Sequence, residues 1–301
     1  MTSNIYTHIS QNKRETFLIM ILFISIVSFI GWFIGQVFLE GEGTLLTVYA
    51  LILSLVSSVG SYYFSDQIVL GISGAHEADK REYKDLYNLV ENMSIASGIP
   101  HPRVFIIEDT AMNAFATGRD PKHGVICFTT GILSRLEKRE LEGVIAHEMS
   151  HIGNYDIRLM SIVSVLVGTI TLLVDWITRG AFYGRRRNSD NGANSILLIL
   201  GLIFLILSPI IATLIKLAIS RNREYLADST AVLITRYPKG LANALKKISS
   251  DTEVLEAANG ATAHLYIDNP IKKRSLGSGS LSSMFSTHPP VAERIKRLEN
   301  M

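Results

Sequence analysis

Four long stretches without a charged side chain limit what this chain can fold into. Phe17 to Leu39 runs for 23 residues, Thr44 to Ser65 for 22, Leu159 to Val174 for 16 and Asn191 to Ile215 for 25. A bilayer core of about 30 Å takes roughly 20 helical residues, so the first, second and fourth predict transmembrane helices. The third reaches that length only if Asp175 to Thr178 lies among lipid headgroups, where Trp176 is at home. Burial of all four inside a soluble protein is the alternative. With 301 residues, 48% hydrophobic and 19% charged, too little chain is left over to enclose them. The first run is also too long for a cleaved signal and is followed by another span within five residues. A net charge of +2 gives no polyelectrolyte character, so no nucleic-acid partner is expected. Cys127 is the single cysteine, which excludes an internal disulfide.

Charge asymmetry orients the first hairpin. Lys13 and Arg14 stand against Glu15 in the tail, whereas the turn carries Glu40 and Glu42, which places the tail in the cytoplasm. The chain then divides into a cytoplasmic tail (1–16), a transmembrane hairpin (17–65), a polar block (66–157), a second hydrophobic hairpin (158–215) and a second polar block (216–301). The two polar blocks carry net charges of −5 and +5, and that complementarity predicts that they dock. The loop between spans three and four holds Arg179, Arg185, Arg186 and Arg187 against Asp190, which is awkward if it faces outward. Spans three and four are therefore either a full crossing or a shallow hairpin.

Within the first block, Leu86, Leu89, Val90 and Met93 are spaced for an amphipathic helix over 77–97, closed by Gly98 and Pro100. Strands are predicted over 103–108, 114–117 and 124–129. Ser134, followed by Glu137 at the capping-box position, predicts the start of a long helix through Leu141, Val144, Ile145 and Met149. The block reads as α+β.

That helix carries His147-Glu148-Met149-Ser150-His151. Residues four apart share a helix face, so both imidazoles can bind one zinc ion, and Glu148 can reach a water on it without ligating it. Zinc would acidify that water, and Glu148 would take its proton and pass it to a leaving amine. A third protein ligand is needed. Ten residues past His147 stands Ile157, so the ligand must come from farther along. Glu224 and Asp228 are also one turn apart, which suits a pair in which one carboxylate ligates and the other orients a histidine. The plainer alternative is a solvated face of paired charges with Arg221. Shared zinc would put the segments before span three and after span four on one side of the bilayer.

Four blocks resemble the HtpX heat-shock membrane proteases, within the peptidase family that also holds the CAAX prenyl endopeptidases. These are Asn113-Ala114-Phe115-Ala116-Thr117-Gly118, Leu141 to His151 continuing to Asn154 and Asp156, Ser220 to Asp228, and Thr287-His288-Pro289-Pro290 followed by Arg294. The resemblance implies an α+β zincin-like metalloprotease domain combined with a four-helix transmembrane region and one zinc ion per chain. It makes Glu224 the third zinc ligand and Asp228 its partner in the shell behind, and it puts His288 and Arg294 in the catalytic cleft. Asn113 begins the strand-edge motif, and an exposed edge at 114–117 would let an extended substrate pair its backbone there. His288 is either the cap of the last helix or a donor to the developing oxyanion. The implied activity is hydrolysis of misfolded or damaged membrane proteins, with self-cleavage, at the cytoplasmic face of a bacterial inner membrane in stress-linked quality control. The alternatives are CAAX-type processing and a non-catalytic zinc-binding scaffold, the latter having no use for Glu148.

Overall fold

Two long apolar helices open the chain, α1 (Ile5–Phe38) and α2 (Gly43–Ile72). The computed structural model describes residues 5–38, 43–184, 220–268, 270 and 289–301. Thr7–Phe33 and Gly43–Ile72 are long and apolar enough to cross a membrane, and they leave Phe17, Phe29, Leu45, Tyr49 and Val56 exposed, as lipid-facing side chains would be. Between the helices the contact is close: a Cβ on Gly31 would stand 2.6 Å from that of Ala50 and 2.8 Å from the Leu46 carbonyl oxygen. Small side chains also line the buried face of α2, at Ser54, Ser58, Ser61 and Ser65.

The third apolar run lies inside α6 (Asp156–Gly184). Leu159, Ile162, Val163, Leu166 and Ile170 are fully or almost fully buried, packed with Ile19, Phe23 and Val27 of α1. Protein rather than lipid covers this half of the run. By length and apolarity α6 qualifies as a span only together with α5 (Lys138–Gly153), across a bend of 82°. Among the described residues there are thus two candidate spans, or three if that bent pair counts as one. The fourth run, the arginine-rich stretch 185–187 and the Gly/Ser loop at 275–283 lie outside the described residues.

The polar blocks form a mixed sheet with helices. Strands β1 (His76–Glu77), β2 (Arg103–Ile107), β3 (Ala114–Thr117) and β4 (Val125–Thr129) stand in the order β1-β2-β4-β3. β2 and β4 are parallel, with Phe105 opposite Cys127, and the outer pairs are antiparallel. The three strands expected from the sequence lie within a residue of the expected bounds, and β1 is additional to them. The first amphipathic helix is shorter than expected: α3 covers Lys84–Ser97, because Glu77 pairs with Phe105 in the sheet instead.

Capping also differs from expectation. Thr129 accepts from the Ile132 N–H and starts a short helix α4 (Thr130–Arg135), and the Ser134 hydroxyl donates back to Gly131 within it. α5 starts three residues later, at Lys138, where the Glu137 N–H donates to Glu140 at 2.8 Å. α5 is the central element. Val144, Ile145, Met149 and Ile152 are fully buried among Val104, Ile126 and Phe128 of the sheet and the helices α7 (Arg221–Thr235) and α8 (Pro238–Ser250). Gly143 permits the close approach to α8, since a Cβ there would stand 2.7 Å from the Leu241 nitrogen. The last helix, α9 (Val291–Glu299), adds Leu298 to the same core.

The oppositely charged blocks do dock. Lys247 reaches Glu140 at 2.7 Å and Arg135 reaches Asp251 at 3.0 Å, while the Asp251 carboxylate also accepts from the Met112 N–H.

Candidate metal centre

On α5, His147 and His151 bring their Nε2 atoms to 3.2 Å, with the rings perpendicular. Two nitrogens held about 2.0–2.1 Å from one tetrahedral ion are separated by about 3.3 Å, so the spacing suits shared coordination. Glu224 arrives from α7, with Oε2 3.7 Å from His147 Nε2 and Oε1 3.6 Å from His151 Nε2. The ligand atoms of all three residues lie within 4.8 Å of one another, and all three are buried. Two imidazoles and a carboxylate are a hard-to-borderline donor set of the kind zinc takes, with one position left for a reactant.

Each histidine is held from behind. His147 Nδ1 is 3.1 Å from Asp228 Oδ1, and His151 Nδ1 is 2.9 Å from Asp156 Oδ2. A carboxylate at Nδ1 keeps the proton there and turns the Nε2 lone pair toward the shared point. The two carboxylates of α7 are placed differently: Glu224 faces both Nε2 atoms, and Asp228 faces the back of one ring. The solvated-face alternative fails, because Glu224 and Asp228 are each 3% exposed.

Arg294 is the most buried charge in the site. From α9 it donates through Nε and Nη2 to the two oxygens of Asp228, at 2.9 and 2.7 Å, and its Nη1 stands 3.2 Å from Glu224 Oε2. The resemblance places it on the cleft. In the structure it binds both carboxylates of α7, and its Nη2 also stands 3.4 Å from His147 Nε2, so it touches two of the three candidate ligands directly.

Glu148 lies next to the first ligand, 2% exposed, and its carboxylate accepts from the Ala116 N–H. Burial pushes its pKa up to about 7, with the Glu224 charge adding and His151 and Arg294 opposing. A cation at the histidines would pull it back down. For His151, burial lowers the pKa, but the Asp156 hydrogen bond and the charges of Glu224, Asp156 and Glu148 outweigh it and hold the value up at about 9. His147 moves the other way: burial lowers it, and Arg294 and His151 add to that, against Asp228.

Two expectations change at the strand edge. β3 is an edge strand, but its four residues are buried, and the Ala114 carbonyl already accepts from the Ile267 N–H at 3.0 Å. Tyr266 stacks edge-on against Phe115 at 5.0 Å and seats that segment. Farther along the edge, the Ala116 N–H is taken by the Glu148 carboxylate. Asn113 does not face the histidines: its amide donates to the Asp268 carbonyl at 2.9 Å and fastens the same segment. The cap position of α9 belongs to Pro290, so that role does not fall on His288, which lies outside the described residues.

Two contributors receive no role from sequence reasoning, although Asp156 stands in the second of the four blocks. Asp156 sits five residues past His151, off the i,i+4 pattern. Asn12 is one of seven consecutive polar residues, Ser10 to Thr16, ahead of an apolar run, and only its burial at 3% marks it.

Residues 80–301 match the family described as Peptidase family M48. Over 296 residues the chain is 45% identical to the "Protease HtpX homolog" of Dictyoglomus thermophilum, covering 98% of this chain and 94% of the relative. The protein of the same description from Thermoanaerobacter pseudethanolicus is 46% identical over 297 residues, covering 97% and 96%. That from Streptococcus thermophilus is 41% identical over 304 residues, covering 99% and 100%. Among solved structures, the crystal structure of S. mikatae Ste24p is similar at a TM-score of 0.46 and 18% identity, covering 93% of this chain and 62% of that one.

Proposed function

Because this chain belongs to peptidase family M48, we propose that it is a membrane-integrated zinc endopeptidase of the HtpX type. It is a metalloprotease acting on polypeptides, with two apolar helices at its amino-terminal end. The observation that carries the zinc reading is the pair of Nε2 atoms 3.2 Å apart with Glu224 opposite them and Glu148 alongside. Ligands are assigned to His147, His151 and Glu224. When bound, zinc supplies Lewis acidity at the scissile carbonyl and lowers the pKa of water beside it.

The chain's own groups do the rest. Asp228 and Asp156 hold the imidazoles in the ligating tautomer, and Arg294 holds the Asp228 carboxyl below its usual range against the opposing effect of burial. Glu148 takes a proton from the attacking water and returns it to the leaving amine. His288 is assigned to the oxyanion that develops on the carbonyl. The zincin-like domain is read as 66–157 with 216–301, completed by a four-helix membrane region over 17–65 and 158–215. Substrates are misfolded or damaged membrane proteins, and the chain itself when self-cleaving. The setting is a bacterial inner membrane under stress, with the active site in the cytoplasm.

Support for a site at the membrane surface comes from Asn12, whose side chain hydrogen-bonds Asp156 only five residues, or about 8 Å of helix, before the uncharged run begins. The site thus lies at the tail end of α1. Cys127 is fully buried with its thiol pKa pushed up by burial, so the native chain is a silent background for cysteine labelling. In inside-out vesicles, Pro100→Cys and Lys239→Cys should label with an impermeant maleimide, and Glu40→Cys should not. Labelling of all three from one side would break the topology.

Metal binding should also release protons. Ligation needs neutral imidazole, and with its pKa held at about 9 His151 is protonated at pH 7 in the metal-free protein. Zinc titrated calorimetrically into that protein in buffers of different ionisation enthalpy should report release of about one to two protons at pH 7, about one from His151 and part of one from Glu148. Apparent affinity should rise between pH 7 and 9 and fall below pH 7. A pH-independent affinity across that window would remove His151 from the ligand set.

A further inference from the structure

We propose that the first apolar helix is a working part of the metal centre, with Asn12 as a positioning residue for the His151 ligand. This rests on the metal reading above. The Asn12 amide donates both of its hydrogens: to Asp156 Oδ1 at 2.6 Å and to the Asn154 carbonyl at 2.9 Å. Its acceptors straddle Tyr155, which holds a left-handed φ of 61° unusual for a bulky residue, at the bend between α5 and α6. One amide therefore clamps both sides of a strained turn.

The clamp decides which Asp156 oxygen is available. With Oδ1 engaged by Asn12, Oδ2 is the one at 2.9 Å from His151 Nδ1. The chain of contacts runs α1, Asp156, His151, and ends at the metal position. Neighbouring residues of α1 act on the same region. Lys13 Nζ sits 4.3 Å over the Tyr155 ring, and Glu15 accepts from Arg223 at 2.8 Å, one residue before Glu224. Two of the three ligand arms are thus braced by three residues, Asn12, Lys13 and Glu15, of a helix whose evident task is to anchor. A helix that served only as an anchor would have no use for a buried amide here, since an apolar residue of the same shape would pack without a polar group to satisfy.

Zinc affinity of the full chain in detergent, measured by competition with a chromophoric chelator, tests this, together with the visible spectrum of the cobalt-loaded protein. Asn12→Leu keeps the side-chain shape and removes the donor. It should weaken zinc binding about 10- to 100-fold, as loss of a partner behind a ligand does, and shift the cobalt bands. Thr16→Val changes α1 one turn away, where the hydroxyl bonds only to the Asn12 carbonyl, and should leave both readouts at the wild-type value. If Asn12→Leu does not fold, Asn12→Asp, which places a carboxylate against Asp156, should show the same losses. Wild-type affinity and spectrum in a folded Asn12 variant, or equal losses in Thr16→Val, overturn the positioning role. Failure of the wild-type chain to bind zinc would instead sink the metal reading itself.

Discussion

Glu148→Gln is expected to cut peptide hydrolysis by about 10²- to 10⁴-fold while the purified protein keeps close to one zinc per chain. The substitution is nearly isosteric and leaves all three proposed ligands in place. Its amide oxygen still accepts from the Ala116 N–H, so packing at this 2%-exposed position should hold. What is lost is the group that, among the described residues, is assigned to take a proton from water beside the histidines. Burial that raises the carboxyl to about 7 in the metal-free protein is also what makes it a competent acid in the second half of the reaction, once it has taken that proton. Hydrolysis and zinc content measured side by side on wild type and variant decide the matter. Persisting hydrolysis removes Glu148 from catalysis, and loss of zinc moves it into the ligand shell.

The second large effect separates Glu224 from Asp228 by two readouts that move in opposite order. Glu224→Ala removes a proposed ligand and should lower zinc affinity by well over the roughly 10- to 100-fold expected for Asp228→Ala, which loosens only His147. Stability of the metal-free protein should respond the other way. Arg294 is fully buried and both of its short bonds go to Asp228, at 2.7 and 2.9 Å, with Glu224 farther off at 3.2 Å. Removing Asp228 leaves a desolvated guanidinium without its fork partner, a change worth about 3–5 kcal/mol in buried pairs. Asp228→Ala should therefore melt well below Glu224→Ala when no metal is present. Chelator competition and thermal unfolding on the two variants give the test. The reverse order in both would exchange the roles of the two carboxylates.

Much of this site is legible in the chain because helical periodicity is local. His147 and His151 share a face of α5 whatever surrounds them, and so do Glu224 and Asp228 on α7. The three core strands follow from short, largely apolar runs set between turn residues. The first two spans follow from length and apolarity, which no packing can change. Where local rules compete, the sequence misleads. Ser134 looks like a cap, but its hydroxyl bonds back to Gly131 because Thr129 has already started a helix there.

The sequence by itself determined the chemistry on offer: a metal-binding pair with a base between its members, a carboxylate pair farther on, and apolar helices to hold the chain in a membrane. Only the tertiary structure decided which groups meet. The contacts of Glu224 with the histidines, of Arg294 with Asp228 and of Asn12 with Asp156 join residues 66 to 144 positions apart. Such pairings depend on where helices cross, and crossing is set by the shapes of buried faces, such as Gly143 against Leu241 and Gly31 against Ala50. Nothing in the sequence marks Asn12 until the fold carries it against Asp156, which holds His151. The half of the third apolar run that α1 covers shows the same limit, because hydropathy measures aversion to water and does not distinguish lipid from protein as the cover.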